Sequence, residues 1–339
     1  MRKKHSYRFL IIIGLIFLVS TFYYLPYYVT KPGMAKELNP IVEVEGGNDE
    51  EGSFMLTTIR MGKANIYAYA IAKLSKYQEL YPIESVRSKD ESEEEYSVRQ
   101  LHMMDSSKLN AIEVAYKKAG LPVNYRFKGI YVLHVVADMP AEGILLPGDR
   151  ISKIDDKEFE SMKDFIQYVS EKKNGDVVEV TYERKDKIDT AAIAVKSFKN
   201  EPKKVGMGIG LVDDKELKVE PKVTIDTEEI GGPSAGLMFS LEIYNQLVKE
   251  DLTKGYKIAG TGTIDSDGTV GRIGGIEQKI VAADKADAEI FLAPNEKGEE
   301  ESNYKLALQT AKDIGSTMKI IPINTFDEAV LYLENLKAK

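Results

Sequence analysis

The chain contains no cysteine and only three histidines, His5, His102 and His134, among its 339 residues. The absence of cysteine excludes disulfide bonds, thiolate nucleophiles and cysteine-based metal sites. Acidic residues outnumber basic ones, 54 to 46, and no basic run occurs beyond the N-terminus. A protein that neutralises nucleic-acid phosphates needs a Lys and Arg surplus on at least one face. We therefore expect no nucleic-acid partner, and we expect that any active site works without a thiol.

The chain also lacks the G-x-x-x-x-G-K-[ST] loop that binds nucleotide phosphates. The segment MGKAN at residues 61–65 does not have the required glycines. We therefore expect no ATP requirement and no cofactor or metal. The length exceeds one typical domain and favours two folded units plus further segments.

The first thirty residues predict a membrane anchor. Residues 1–8 are basic, and residues 9–29 carry no charge and end in a group of tyrosines, Tyr23, Tyr24, Tyr27 and Tyr28. At roughly 1.5 Å per residue this stretch is long enough to cross a hydrocarbon core of about 30 Å. The basic end marks the cytoplasmic side, so the rest of the chain should lie outside the cytoplasm. A cleaved signal peptide is the alternative, although its apolar region is usually about 7 to 15 residues long and ends in small residues.

The remaining sequence divides into three regions. Residues 30–125 predict short strands at 40–47 and 52–61, a solvated loop or exposed helix edge over the acidic run at 88–95, and an amphipathic helix at 105–120. Residues 126–200 predict a small β module, and residues 201–339 alternate strands with helices. The last helix begins with a capping box, in which Thr325 is followed by Glu328. The predicted fold class is a mixed multi-domain protein with a transmembrane helix, a β module and an α/β domain.

Ser234 lies in the stretch GGPSAG, which has a structural and a functional interpretation. The structural one is an ordinary helix start, since proline and serine are common there. The functional one is that the neighbouring glycines and Ala235 leave room for a peptide carbonyl, while helix-start N–H groups suit a developing oxyanion. Such a serine needs a base, and no histidine is near it in sequence.

Lys279 is the candidate base. A helix starting near Ile276 would place Lys279 on the same side as Ala283 and Ala286, with no acidic residue three or four positions away. A buried lysine loses its charge more readily, so it can accept a proton. A surface lysine that extends its amine to water is the alternative interpretation.

The two motifs together resemble the proteolytic domain of the Lon family. GGPSAG is followed after about 45 residues by GTVGRIGGIEQKIVAADKADA. The resemblance covers residues 205–339 and implies that Ser234 is the nucleophile, Lys279 the general base and Thr261 the hydroxyl that orients the amine. It also implies an oxyanion hole of backbone N–H groups in the turn formed by Gly232, Pro233, Ser234 and Ala235.

Residues 127–195 resemble a PDZ domain through Pro140, Ala141 and the Leu146, Gly148, Asp149, Ile151 pattern. This resemblance implies that Lys128, Gly129, Ile130 and Tyr131 bind a peptide, with the segment FKGI as a carboxylate-binding loop and the next strand accepting the peptide by β-augmentation.

Two departures from the ATP-dependent Lon proteins are visible. Gly231 stands where those proteins carry an acidic residue, and the phosphate loop is absent. Anchor, PDZ and Lon-type domain together resemble the membrane-bound YlbL-like proteases. The strands near residues 41–60 could belong to the protease sheet, which would make the PDZ domain an insertion, and a soluble, active fragment beginning at Lys203 would refute that hypothesis.

The leading hypothesis is a membrane-anchored, ATP-independent serine endopeptidase that cleaves flexible or unfolded exported and membrane proteins, with the PDZ domain selecting them. Homo-oligomers are compatible with it, because Lon-type domains commonly form rings. The alternative is a catalytically silent, membrane-tethered PDZ scaffold or sensor. A peptidase inhibitor is a third and weaker hypothesis that no sequence feature supports.

Overall fold

The computed structural model describes residues 17–87, 91–199, 201–227 and 230–339, without the side chains of residues 202 and 203. Eighteen strands are present in this part of the chain: β1 (Tyr24–Glu37), β2 (Val42–Val44), β3 (Ser53–Asn65), β4 (Glu79–Pro82), β5 (Asn124–Val135), β6 (Arg150–Ile154), β7 (Lys157–Glu158), β8 (Val177–Arg184), β9 (Lys187–Ala194), β10 (Lys196–Phe198), β11 (Glu201–Gly206), β12 (Ile209–Lys218), β13 (Val223–Ile225), β14 (Lys257–Gly260), β15 (Thr263–Ile264), β16 (Val270–Gly271), β17 (Ile290–Pro294) and β18 (Lys319–Ile323).

The helices in the same residues include α1 (Ile66–Leu74), α2 (Ile83–Val86), α3 (Glu93–Lys118), α4 (Met162–Ser170), α5 (Gly236–Leu247), α6 (Ile276–Asp284), α7 (Asn303–Ile314) and α8 (Phe326–Glu334). Several begin at capping side chains. Ser92 caps α3 in a full capping box with Glu95, and the Thr325 hydroxyl accepts a hydrogen bond from the Glu328 N–H at the start of α8. Residues 93–95 of the acidic run therefore form the first turn of a helix that begins well before the predicted start at residue 105, and residues 88–90 lie outside the described residues.

The chain forms two compact units. The first takes the described residues up to Arg87, Thr224–Asp226 and Ser234–Lys339. The second takes the remaining described residues, from Glu91 to Val223 and from Thr227 to Pro233.

The first unit is built on a six-stranded sheet in the order β18-β17-β14-β3-β1-β4. The central pairs β14–β3, β14–β17 and β17–β18 are parallel, whereas β1 is antiparallel to both β3 and β4. Helix α6 packs against β1, β3 and α7, and its buried residues Ile276, Ile280 and Ala283 enter the core with Phe291 of β17. Because β3 pairs with β14, a strand from the N-terminal region lies inside the sheet that carries the C-terminal helices. This pairing is the arrangement that the insertion hypothesis predicts.

The second unit contains α3, α4 and a sheet in the order β12-β5-β6-β8-β9, with β7 beside β6. Its core is apolar and includes Val132, Ile151, Phe165 and Val180. Strand β12 lies beyond residue 200, where the sequence analysis placed the end of the β module. It belongs to this sheet because it pairs antiparallel with β5 along nearly its whole length, from Ile209 opposite Val135 to Lys218 opposite Asn124.

The structure corrects one part of the predicted anchor. Residues 24–29 lie in β1, where Tyr28 pairs with Lys63 of β3 and Tyr81 of β4, so they are not the end of a membrane helix. The earlier part of the predicted span, residues 9–16, lies outside the described residues. No helix among residues 17–87, 91–199, 201–227 and 230–339 is long and apolar enough to span a bilayer.

Candidate active site

Four segments of the first unit bring Ser234 and Lys279 together. Ser234 lies one residue before Ala235, the N-cap of α5, and Lys279 is the fourth residue of α6. Thr261 directly follows β14, and Thr57 lies within β3. Gly275 begins α6 in a left-handed conformation, with φ 69°, that a glycine adopts without strain. A Cβ at that position would come within 2.9 Å of the Ile59 side chain, so the glycine also lets α6 start close to β3.

The amine of Lys279 has three hydrogen-bond partners. Its Nζ lies 2.7 Å from the Ser234 Oγ, 2.9 Å from the Thr261 Oγ1 and 2.9 Å from the main-chain oxygen of Thr57. The Thr261 hydroxyl in turn donates to the Ser234 carbonyl oxygen at 2.9 Å, and the Gly262 N–H donates to the same oxygen at 2.9 Å. The sequence prediction placed Ser234, Lys279 and Thr261 at one site, and the structure brings these three residues together.

These contacts assign the protons of the site. A neutral amine has two N–H donors and one lone pair, whereas an ammonium has three donors and no acceptor. The Thr57 carbonyl can only accept, and the Thr261 hydroxyl has already used its own proton on the Ser234 carbonyl. Both N–H bonds of a neutral Lys279 therefore point to the two threonines, and its lone pair is left facing the Ser234 hydroxyl. That is the orientation required for proton abstraction.

Burial allows a large fraction of the Lys279 amine to be neutral near pH 7. Lys279 is 2% exposed, and burial lowers the pKa of its amine to about 7. Removal from water is the cause, because it penalises the charged form. The predicted placement of Lys279 on a buried helix side is confirmed, since Ile276 and Ala283 on that side are also buried. The interpretation of Lys279 as a surface lysine is wrong.

Neither described histidine takes part in this arrangement. His102 and His134 both belong to the second unit. The His102 ring stacks on Tyr131 with centroids 5.2 Å apart, and burial lowers the pKa of its imidazole. The expectation that these histidines serve packing agrees with the stacking of His102.

The predicted oxyanion turn differs from expectation at Gly232. Its N–H donates to the Gln100 carbonyl oxygen at 2.9 Å, so in this conformation that donor is occupied. Gly232 has φ 87°, and Pro233 has no N–H to offer. Ala235 is the N-cap of α5, and the N–H of Leu237, two residues further, donates to the Gly262 carbonyl. The use of Gly232 as an oxyanion donor is therefore contradicted by the hydrogen bond that it makes here.

The Thr57 carbonyl is the part of the site that the sequence analysis missed. It comes from a strand more than two hundred residues away from Lys279 along the chain, with a separation of 222 positions. A main-chain oxygen leaves no residue-type signature, because every residue carries one. In the sequence analysis, only the hypothesis that residues 41–60 join the protease sheet pointed toward this contact.

Two protein families match this chain. The family "Lon protease (S16) C-terminal proteolytic domain" matches residues 167–334, and the family "PDZ domain" matches residues 99–195. The chain contains a PDZ domain and a Lon-type proteolytic domain. The Lon protease of Campylobacter jejuni is 29% identical over 141 residues, which are 36% of this chain and 17% of that protein. The Lon protease of Endomicrobium trichonymphae is 31% identical over 106 residues, or 31% of this chain and 12% of that protein.

This chain thus spans less than a fifth of the length of these curated Lon relatives. Among solved structures, the PDZ domain of the SdrC-like protein from Listeria monocytogenes is 38% identical and covers 26% of this chain and 90% of that one, with a TM-score of 0.24. The solution structure of GtR34C from Geobacillus thermodenitrificans is 40% identical and covers 24% and 95%, with a TM-score of 0.23. Strands β1 and β3 lie outside both family matches, although β3 supplies an acceptor to Lys279.

The structure does not place Lys128, Gly129 and Ile130 in a loop, and that part of the prediction is wrong, whereas Tyr131 lies in a strand as expected. They lie within β5, whose ladder partners are β12 on one side and β6 on the other. Gly129 has φ 149°, and a Cβ there would lie 2.5 Å from the Ile151 carbonyl oxygen. The glycine thus serves a close approach of two strands. At Ile130 and Tyr131 both edges of β5 are paired, so a peptide cannot add there in this conformation.

The PDZ sheet has two edge strands among the described residues, β12 and β9, and β12 is the one that lies beside a helix. Among the described residues, β12 pairs with β5 on one side and with no strand on the other. Helix α4 lies alongside it, and the Met162 N–H at the start of α4 donates to the Asp213 carboxylate at 2.6 Å. Gly208, immediately before β12, has φ 84°. A free edge beside a helix, entered through a glycine turn, is suited to accept an extended peptide.

No metal centre accompanies these sites in the described part of the chain, where no three or more His, Asp or Glu side chains are arranged to hold an ion.

Proposed function

We propose that this protein is a serine endopeptidase in which Ser234 and Lys279 form a catalytic dyad. The observation that carries the proposal is the 2.7 Å contact between the Lys279 Nζ and the Ser234 Oγ, made by an amine that is 2% exposed. The match to the Lon proteolytic domain supports hydrolysis of peptide bonds as the reaction.

In the proposed mechanism the lone pair of neutral Lys279 takes the Ser234 proton as the serine oxygen attacks a peptide carbonyl. The C–N bond then breaks, and the Lys279 ammonium gives that proton to the departing amine. Water hydrolyses the acyl-enzyme in the second step, with Lys279 again acting as base. Thr261 and the Thr57 carbonyl keep the two amine N–H groups occupied throughout, so that the lone pair stays directed at Ser234.

The substrates that we propose are flexible or unfolded segments of proteins, cleaved without ATP. An extended segment can add to the free edge of β12, which is how a PDZ domain would recruit it. This assignment replaces the earlier one at Lys128 to Tyr131. A recruited protein would bring a nearby flexible stretch to Ser234 at a raised effective concentration.

We also propose that the chain is attached to a membrane. The uncharged residues 9–23 precede β1, and Arg2, Lys3, Lys4 and Arg8 form a basic flank that favours a cytoplasmic N-terminus. The catalytic unit would then face the extracytoplasmic side. Flotation of the full chain with vesicles after alkaline carbonate washing tests this point independently of activity.

The catalytic proposal is tested by cleavage of fluorescently labelled casein, an unfolded protein. Ser234→Ala and Lys279→Ala should each abolish cleavage while circular dichroism remains that of the wild type. Ser266→Ala and Lys285→Ala are matched controls, because both side chains are exposed and lie outside the site. They should cleave at the wild-type rate. Cleavage by the Ser234→Ala variant would refute the dyad, and a wild-type chain with no activity toward any unfolded protein would favour the silent PDZ scaffold.

A further inference from the structure

The first unit exposes a concentration of apolar side chains near its N-terminal end. Twenty large hydrophobic side chains are exposed in the described chain, and eleven of them lie between residues 17 and 74. These eleven are Phe17, Leu18, Val19, Phe22, Tyr23, Tyr24, Met34, Met61, Ile66, Ile71 and Leu74. Single exposed apolar residues are ordinary, but a group of them marks a surface that contacts something other than water.

Helix α1 presents its apolar side outward. Ile66, Ala70 and Leu74 are exposed at spacings of four residues, with Ile71 beside them, and Leu74 is 91% exposed. A helix on the surface of a soluble unit normally turns polar residues to water at these positions. The only charged side chain in α1 is Lys73. The outward side of α1 therefore suits an apolar environment bordered by negative charge.

The segment that leads into β1 packs along the same helix. The Phe17 ring lies 4.7 Å from that of Tyr67, and the Tyr27 ring lies 5.3 Å from that of Tyr69. The Asn65 side-chain amide, which also caps α1, donates to the Thr21 carbonyl at 3.1 Å. Residues 17–27 and 66–74 thus form one continuous surface, which we call the N-terminal face.

Basic residues predominate in the two segments that contain the N-terminal face, although Lys76 pairs with Asp313 and Glu79 of β4 lies opposite Thr30. Residues 17–36 and 53–78 contain no Asp or Glu in a chain whose net charge is -8. They contain six basic residues: Lys31, Lys36, Arg60, Lys63, Lys73 and Lys76. Lys31 and Arg60 stand directly opposite each other in the β1–β3 ladder, and Lys31 lies on the same side of β1 as Tyr27. Like charges in directly opposed positions destabilise a sheet, and an anionic partner would offset that cost.

We propose that the N-terminal face lies flat against the headgroup region of a bilayer that contains anionic lipids. Aromatic side chains favour the membrane interface, and Lys and Arg near the surface are attracted to anionic headgroups. The uncharged residues 9–23 lead directly into this face, so a chain attached through them would hold it at the lipid surface. A second copy of the chain is a poorer partner, because a two-fold contact would bring the same basic face against itself. This inference rests on the proposed membrane attachment.

The absence of tryptophan from the sequence provides a direct test. Leu74→Trp places a single tryptophan on the outward side of α1. Leu331→Trp is the control: its side chain is also exposed, but it lies on α8, which packs against β18 at the opposite edge of the sheet. The full-length variants are reconstituted in phosphatidylcholine–phosphatidylglycerol vesicles with and without brominated acyl chains. Brominated lipid should quench the tryptophan at position 74 several-fold more strongly than the one at position 331.

A charge-reversal pair tests the electrostatic part in the Leu74→Trp background. Arg60→Glu with Lys73→Glu should reduce the quenching and make it insensitive to phosphatidylglycerol. Lys285→Glu with Lys337→Glu changes the net charge equally but lies away from the face, so the quenching should be unchanged. Equal loss in both pairs would contradict a role for this face.

The outcomes separate this inference from the attachment on which it rests. A chain that does not float with vesicles overturns both. A chain that floats, but whose tryptophan at position 74 is quenched no more than that at position 331, overturns the inference alone. A blue-shifted, unquenched tryptophan at position 74 that becomes exposed on dilution would identify a second protein copy on this face and would likewise overturn it.

Discussion

The reaction of Ser234 should follow the neutral fraction of Lys279 as pH changes. With burial lowering the pKa of the amine to about 7, the neutral fraction is about 1% at pH 5, about 50% at pH 7 and about 99% at pH 9. If only the neutral form abstracts the serine proton, acylation should accelerate roughly 100-fold between pH 5 and pH 9 with a midpoint near 7. An ordinary lysine, with a pKa of about 10.4, would give a rate that is still rising steeply at pH 9.

Fluorophosphonate labelling measures this step without requiring a known substrate. The pseudo-first-order rate is recorded across pH with excess reagent, and the fraction of folded chain is followed by circular dichroism at each pH. Lys285→Ala should reproduce the wild-type profile, because that exposed lysine is not in contact with Ser234. A rate that is independent of pH between 5 and 9 in the folded protein would refute the proton-transfer argument.

Three further predictions concern the first unit, which carries Ser234 and Lys279. Thr261→Val should slow acylation at least about tenfold, because it removes the acceptor of one Lys279 N–H and leaves the base misoriented. Thr261→Ser keeps a hydroxyl and should restore most of the rate. Equal rates for the two variants would contradict the orienting role. Burial raises the pKa of Glu242 to about 7, so the folded chain holds more protons there than the unfolded chain and the free energy of unfolding should fall as pH rises from 5 to 8. Urea titrations from pH 5 to 8 should show a smaller fall in the free energy of unfolding for Glu242→Gln than for the wild type. An equal pH dependence in the two proteins would refute this linkage. Gly52→Ala should destabilise the chain by about 2 kcal/mol or more, because its Cβ would lie 2.3 Å from the Tyr256 carbonyl oxygen just before β14. Gly274→Ala, whose Cβ meets nothing within 4 Å, should cost far less in the same titration.

The proximity of Ser234 and Lys279 was predictable because both residues occur in local motifs. Ser234 lies among small residues at a helix start, and Lys279 lies on an apolar helix side without a charged neighbour. Side-chain type and spacing carry that information. The Thr57 carbonyl could not be predicted in this way, because its position depends on which strands pair, and pairing between distant segments leaves only a weak trace in one sequence.

Two errors have a common origin in locally ambiguous patterns. Gly129 suggested a loop, but a glycine within a strand can equally mark a close approach of another backbone, as it does beside Ile151. The tyrosines at residues 24–28 suggested an interfacial belt, but aromatic residues are also favoured in strands, and here they begin β1. In both cases the tertiary partner decides the structure, and the local composition does not.

The boundaries between the units were also only partly predictable from local sequence patterns. Strand β12 pairs with β5 although it lies beyond the expected boundary at residue 200, whereas the pairing of β3 with β14 is the one that the insertion hypothesis anticipates. Sequence patterns detect the individual strands, whereas the order of strands in a sheet depends on which edges are left unpaired elsewhere.

The proposed dyad is tested most directly by locating the serine that reacts with a fluorophosphonate. Full-length chain is treated with a fluorophosphonate at pH 8, digested and analysed by mass spectrometry, beside the Lys279→Met variant. The dyad predicts that the label is found on Ser234 in the wild type and is nearly absent from the folded variant. A label on another residue, or a Ser234 that reacts as fast without the lysine amine, would contradict the central claim.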